Sequence, residues 1–225
     1  EELPGLVVRR DFSDLNRLPD EQNTTYLHLG AEESEWQRVP VELFKEIESF
    51  VTRGGRLAIT LTPVTRPPRF FTPPLTTTNS PGTNAPGTKG GKPRKKSVGK
   101  KVLPDEEEGV PTTSIEERWG LSFGHQALDY GNDEIYHAVQ VTNVSGLPLP
   151  PTLDWHSGVI LTNLDEAWHA IYARGTNLVV VERRFGHGTV VLATDSFFLS
   201  NEAMWQARHP QWLVWLIGPA EHVVF

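Results

Sequence analysis

Residues 40–62 constrain the fold more than any other stretch of the chain. Val41, Phe44, Ile47, Phe50 and Val51 recur at helical spacing, with Glu42, Lys45, Glu46 and Ser49 outside that stripe. The pattern predicts an amphipathic helix over Pro40–Arg53, and Pro40 suits its first turn. Gly54-Gly55 supplies the positive φ that ends it. Arg56–Thr62, RLAITLT, is an almost continuous apolar run, as expected of a strand covered on both faces. Upstream, Thr24–Gly30 (TTYLHLG) is rich in strand formers. Strand, helix, Gly-Gly turn and strand together make a βαβ unit.

Immediately after that unit the composition changes. Residues Pro63–Thr113 hold 10 of the 18 prolines and almost no periodic apolar pattern. Lys89, Lys92, Arg94, Lys95, Lys96, Lys100 and Lys101 form a basic cluster, followed by the acidic run Asp105–Glu108. Such a segment buries too little apolar surface to offset its ordering entropy, and it reads as a long disordered insertion in a single domain spanning 1–225. It has 9 basic and 4 acidic residues, hence +5, against 12 basic and 24 acidic elsewhere, hence −12. Most segments of this kind are solvated linkers; one so basic also suits acidic lipid headgroups or an acidic partner.

The rest of the chain is strand-rich. Leu6-Val7-Val8, Ile135–Val144, Val159-Ile160-Leu161 and Trp168–Ala173 read as strands, and Asn177–Phe185 with Thr189–Thr194 as a hairpin closed by Gly186-His187-Gly188. Ser114 and Glu117 form a capping box at the start of a short helix. Asn201–Ile217 reads as a terminal helix, broken near Pro210, with Trp205, Trp212, Trp215 and Leu216 as its buried stripe. The expected fold is an α/β three-layer sandwich with a mixed, mainly parallel sheet.

Two segments carry a family resemblance. The junction FVTRGGRLAIT resembles the helix, Gly-Gly-Arg-Leu, apolar-strand element of class I glutamine-amidotransferase-like folds. The run RRFGHGTVVLATDSFFLSNEAM is similar to the closing motif of a domain-of-unknown-function family of membrane-anchored bacterial and archaeal proteins. Here the motif reads Gly186, Gly188, Val190, Asp195, Ser200 and Asn201. The resemblance covers Leu6–Thr62 and about Trp168–Phe225. It implies a soluble domain between two membrane spans, and, by fold-level analogy, an auxiliary role in ABC-type transport. The chain departs from catalytic amidotransferases, which attack with a cysteine at a strand-to-helix elbow. It contains no cysteine and no G-x-S-x-G replacement, which predicts a protein without that chemistry.

The candidate chemistry lies mainly at one place. Asp195-Ser196 follows a predicted strand, where ligands bind in open α/β sheets. Asp195, Ser196, Ser200 and Asn201 therefore form the candidate ligand site. The same residues before an apolar helix also make an ordinary helix cap, and that is the commoner use. His187, between two glycines, is a general base only in the reading that makes this chain a hydrolase built on Asp195 with His187 or a metal; otherwise it is a turn residue. His125, Asp129, Asp133, Glu134 and His137 are metal-capable, but their spacing matches no ligand pattern. Trp155-His156 and Trp168-His169 offer a stacking surface, or simply core tryptophans. GTKGGKPRKKS fails as a phosphate loop because the spacing is wrong and Pro93 follows the lysine.

These observations predict a non-catalytic interaction or ligand-sensing module that needs no cofactor or metal. Its partner would be a protein or a small molecule. No stretch reaches the ~18 apolar residues a membrane span needs. The chain opens at Glu1 rather than Met, so it reads as a segment of something longer; the resemblance implies membrane anchors outside it and a domain on the extracytoplasmic side. The net charge of −7 argues against nucleic acid.

Overall fold

The computed structural model describes residues 6–10, 18, 23–66, 110–132 and 135–225. The described residues, Val110 apart, belong to one compact unit. The expected disordered insertion falls largely on 67–109, outside the described residues. At its edges, Thr112–Thr113 (β5) pairs antiparallel with Val39–Pro40 (β3), and the Gly158 N–H donates to the Val64 carbonyl at 2.8 Å.

The βαβ unit forms as its pattern predicts. Thr24–Ala31 (β2) leads to Val41–Thr52 (α1) and then to Arg56–Leu61 (β4), and β2 pairs parallel with β4. Phe44, Ile47, Phe50 and Val51 are buried, while Val41 is only half-buried. Pro40 stands at the cap, one residue earlier than the sequence pattern placed it. Gly54 takes φ of 115°, which an L side chain resists. All six residues of β4 are buried, and its side chains alternate between faces. Leu57, Ile59 and Leu61 join one apolar cluster with α1 and Trp119. Ala58 joins a second, which contains Trp212 and Leu216. Each buried Leu or Ile contributes about 1.5–3 kcal/mol.

Val7–Arg9 (β1) and His222–Val224 (β13) extend the parallel part, in the order β1-β13-β2-β4-β12, with Gly188–Ala193 as β12. Beyond β12 the sheet changes character. Asn177–Phe185 (β11), Trp168–Arg174 (β10), Val139–Asn143 (β7) and Thr152–Trp155 (β8) follow in antiparallel order. Ser122–His125 (β6) and Val159–Thr162 (β9) pair with each other and, through β9, with β11.

This topology corrects the expected three-layer α/β sandwich and its class I glutamine-amidotransferase-like assignment. Strands hold about 40% of the described residues. In the eleven-stranded sheet six of the ten pairings are antiparallel. The physical reason is local. Only two residues separate β10 from β11 and β11 from β12, at Gly175 (φ 60°) and Gly186 (φ 56°), and so short a link can join only antiparallel strands. Of the strands that follow the βαβ unit, only β12 and β13 take parallel partners among the described residues; β6 to β11 pair antiparallel throughout.

The helices are few. Ile115–Trp119 (α2) starts at a reciprocal capping box: Ser114 accepts from the Glu117 N–H, and the Glu117 carboxylate accepts from the Ser114 N–H. The terminal helix is two, Asn201–Gln206 (α3) and Pro210–Ile217 (α4), with Pro210 opening the second. The break resets the helical phase, so Ala203 is the buried residue of α3 and Trp205 is 88% exposed, against expectation. Trp212 and Leu216 are buried as expected, and Trp215 is half-buried beneath the Arg56 guanidinium. Arg56 closes α4 by donating to the Trp215 and Leu216 carbonyls, both at 2.9 Å, and it pairs with Glu182 at 2.7 Å. These contacts satisfy carbonyls that a helix end leaves open. Among the described residues no helix is long and apolar enough to cross a membrane.

Candidate functional site

Asp195 lies two residues past the end of β12, where the sheet's parallel half meets its antiparallel half. It is 1% exposed. Its Oδ1 accepts from the Phe197 N–H at 2.7 Å, which starts the 3-10 turn Phe197–Leu199. Its Oδ2 accepts from the His156 N–H at 2.5 Å, which reaches across to the turn after β8. Burial pushes its carboxyl up from the ordinary carboxylate range; the N–H groups of Phe197, His156 and Ser196 and the His156 ring act in the opposite sense. Both oxygens thus accept from the main chain. This arrangement holds two loops in register and leaves the carboxylate poorly placed to take a proton from a substrate.

The other candidate residues separate into different roles. Ser200 caps α3, its Oγ accepting from the Ala203 N–H at 3.1 Å. Asn201 is exposed in the first turn of α3. Ser196 is half-buried; a Cβ at Gly30 would stand 3.9 Å from its Oγ and 3.7 Å from Thr62 Oγ1, so Ser196 and Thr62 face one spot at the ends of β2 and β4. His187 sits exposed in the turn before β12, its N–H donating to the Thr52 carbonyl at 3.1 Å. The full length of β12 separates it from Asp195, roughly 20 Å at ~3.3 Å per residue. A base and its orienting acid need ~3 Å contact in one cleft, and these two lack it.

The metal-capable group is also dispersed. His125 faces Glu33, with Nε2 at 3.1 Å from the carboxylate. The His137 N–H donates to the Asp129 carbonyl at 2.9 Å, and Asp133 and Glu134 lie outside the described residues. Among the described residues no three His, Asp or Glu side chains gather as a metal site.

Beside Asp195 is a cleft of about 170 Å³ between β8 and α3. Leu153, Trp155, Phe198 and Ala203 line its apolar part, with Glu202, His156 and His209 among its polar lining; the Asp154 side chain lies on the exposed face of β8, bonded to Gln140. None of the described residues lining it is Lys or Arg. Trp155 is buried and donates its indole N–H to Thr194 Oγ1 at 3.1 Å. The His156 ring stacks on Phe197 with centroids 3.7 Å apart, and its Nδ1 stands 3.2 Å from the Tyr136 hydroxyl. Burial raises the Tyr136 hydroxyl above its usual range, and the charges of Asp195, Glu202 and Tyr130 add to that.

Of the two Trp-His pairs, Trp155-His156 borders this cleft; Trp168 is core and His169 is exposed. Tyr136, Phe197 and Glu202 were not legible as site residues. The sequence signal that could have found them is the aromatic pair Phe197-Phe198 directly after Asp195-Ser196.

No protein-family model matches the chain, and no curated protein matches its sequence. Several solved structures are similar in part, three of them as follows. One is an exo-β-1,4-mannosidase from Opitutaceae bacterium strain TAV5, with 11% identity and a TM-score of 0.40 over 86% of this chain and 24% of that one. The cold-adapted β-galactosidase from Rahnella sp. R3 shares 16% identity, with a TM-score of 0.38 over 76% of this chain and 20% of that one. The β-galactosidase from Bacillus circulans sp. alkalophilus shares 11% identity, with a TM-score of 0.39 over 80% and 21%. The chain therefore spans less than a quarter of each, and no residue role is carried over from them.

Proposed function

We propose that this chain is a non-catalytic recognition module that binds through the cleft beside Asp195. The observation that carries the reading is the state of Asp195: the acid at the strand end is buried, with both oxygens bonded to main-chain N–H groups. Two further facts support it. The chain has no cysteine to act as a nucleophile, and His187 sits at the opposite end of β12. A cleft of 170 Å³ is smaller than the ~300 Å³ at which sites for drug-sized ligands begin, so it suits a side chain or a head group. The resemblance of residues 183–204 to membrane-anchored proteins supports placing the module outside the cell membrane, tethered by spans beyond this segment.

The test is an activity panel run beside a topology assay. Purified protein is incubated with chromogenic esters, amides and glycosides, and the expected rate equals that of buffer. Turnover that disappears in a cleft variant such as Glu202→Gln would overturn the non-catalytic reading. Protease added to spheroplasts carrying the parent protein should cut the domain; full protection would overturn the extracytoplasmic placement.

A further inference from the structure

We infer that the cleft takes an extended segment of a partner polypeptide, which joins the sheet as a further strand along β8 and places one apolar side chain between Leu153, Trp155 and Phe198. The inference rests on the cleft being the binding surface of the proposed module. Among the described strands β8 ends the sheet, with β7 on its inner side. Its hydrogen-bond phase follows from one bond and the register. The Asn143 N–H donates to the Pro151 carbonyl at 2.9 Å, and Val141 pairs with Leu153 and Val139 with Trp155. Bonded and non-bonded pairs alternate along an antiparallel ladder. Leu153 and Trp155 therefore turn their main-chain groups toward β7, and Thr152 and Asp154 turn theirs to the open edge. The His156 N–H is the next outward donor, and Asp195 accepts it. The outward N–H and carbonyl groups of Thr152 and Asp154 have no partner among the described residues.

The cleft opens onto that edge. Side chains alternate along β8, with Leu153 and Trp155 buried and Thr152 and Asp154 exposed. The Asp154 side chain is bonded to Gln140 on the exposed face, so Asp154 lines the cleft through its main chain. Thr152 and Asp154 each offer one donor and one acceptor, roughly 7 Å apart at ~3.4 Å per residue. Another extended chain presents the matching groups at that spacing, on residues two positions apart; a small amine, acid or alcohol does not. The residue between those two faces Leu153, with its side chain on the same side of the sheet. There it meets Leu153, Trp155, Phe198 and Ala203, in a space of about 170 Å³ that holds one side chain. These walls select an apolar residue, because their indole N–H, that of Trp155, is already bonded to Thr194. A second copy of this chain does not supply that residue. When two β8 edges pair antiparallel it is Leu153, which is 3% exposed in its own core. Pro148, Pro150 and Pro151 before the edge and the Asp195 bond after it confine pairing to Thr152–Asp154, which keeps the edge from templating longer strands. In strand addition of this kind main-chain bonds supply affinity and the side-chain pocket supplies specificity.

The experiment is an amide-resonance titration of the full 225-residue chain with the capped pentapeptide Ser-Thr-Leu-Thr-Ser at millimolar concentration. The peptide should shift residues 152–156, 197–198 and 203. Methylating the amide nitrogen of either threonine, which faces β8, should weaken binding at least about fivefold; methylating the leucine amide, which faces away, should change it less than about twofold. A central aspartate in place of leucine should also cost at least about fivefold. Asp154→Pro removes an outward N–H at an edge position that tolerates proline. It should melt within about 2 °C of the parent and bind the peptide about threefold or more weakly, whereas Asp154→Ala keeps the N–H and should bind like the parent. Threonine-methylated peptides that bind like the unmodified one, or a folded Asp154→Pro protein that binds it unchanged, would overturn the added strand. Pentanol separates that failure from failure of the cleft itself. Pentanol shifts at Leu153, Trp155, Phe198 and Ala203 with none from the peptide would sink the strand and leave the binding surface standing; no shift from either would overturn both. A dimer in analytical ultracentrifugation that Asp154→Pro breaks would give the edge to a second copy and refute the partner segment.

Discussion

Replacing Asp195 with Ala removes the acceptor of two buried main-chain donors at once. The His156 and Phe197 N–H groups lose partners at 2.5 and 2.7 Å, and in a site 1% exposed water does not replace them readily. Each orphaned buried donor costs about 1–3 kcal/mol. Relief of the carboxylate's own desolvation, visible as its raised pKa, offsets part of that. The net expectation is a loss of about 3 kcal/mol. For a domain of this size each kcal/mol lowers the melting temperature by about 2–4 °C, so the variant should melt about 6–12 °C below the parent by circular dichroism. Asp195→Asn keeps one acceptor and the shape of the side chain, and should lose about half as much. The pH dependence has a definite sign. Because the folded carboxyl titrates above its ordinary value of 3.8, its contribution is present below that value and fades as pH rises through the folded one. The gap between parent and Asp195→Asn should therefore widen as pH falls toward 4. An Asp195→Ala protein that melts within about 2 °C of the parent would refute the reasoning and return Asp195 to the role of an exposed binding group.

Four further outcomes follow from packing and burial. A Cβ at Gly188 would overlap the main-chain carbonyls of Gly55 and Val51, so Gly188→Ala should cost more than about 4 kcal/mol and yield little soluble protein. Gly175→Ala, with open space but φ of 60°, should cost only about 1–2 kcal/mol in chemical denaturation. Trp205→Ser should change stability by less than about 0.5 kcal/mol, and Trp212→Ala should cost about 3–5, a contrast that tests the break between α3 and α4. Burial lowers the His28 ring from its usual 6.5, more than its Glu35 partner at 3.3 Å raises it. The folded state therefore favours neutral His28, its contribution is held above 6.5, and it is lost as pH falls toward the folded value. His28→Asn should lose less stability than the parent between pH 7 and 5.5, read by differential scanning calorimetry.

The parts legible in the sequence are those whose order is enforced locally. The α1 stripe repeats at 3.6 residues, the Ser114–Glu117 capping box is three residues long, and the hairpin of β11 and β12 turns on Gly186-His187. β13 was not legible because His222–Val224 carries no pattern of its own. It exists by pairing with Thr24–Tyr26 on one side and Val7–Arg9 on the other, a contact between the two ends of the chain. β8 was hidden for a similar reason. Three prolines precede it within five residues, and its four residues are held by β7 rather than by propensity. The misread Trp205 shows the converse. A stripe counted across Asn201–Ile217 assumes one helical phase, and Pro210 starts a second.

The position of Asp195 was legible, but its use was not, and the difference lies in the antiparallel half of the sheet. A strand-end acid in a purely parallel sheet faces an open crevice, which is the basis for expecting ligands there. Here β12 borders β4 on one side and β11 on the other, and the turn between β8 and β9 comes over its end with the His156 N–H aimed at the carboxylate. That turn closes over the acid, and the remaining space is displaced sideways into the cleft between β8 and α3. The two walls of the cleft are therefore tied through Asp195 itself, β8 by way of His156 and α3 by way of Phe197 and the Ser200 cap. Loosening Asp195 should widen the cleft as well as lower the melting point. In the Asp195→Ala protein amide hydrogen exchange should quicken in β8 and α3 more than in the rest of the sheet, along with the loss of stability. If Asp195→Ala lost stability yet exchange in β8 and α3 quickened no more than elsewhere in the sheet, the walls of the cleft would not depend on that tie.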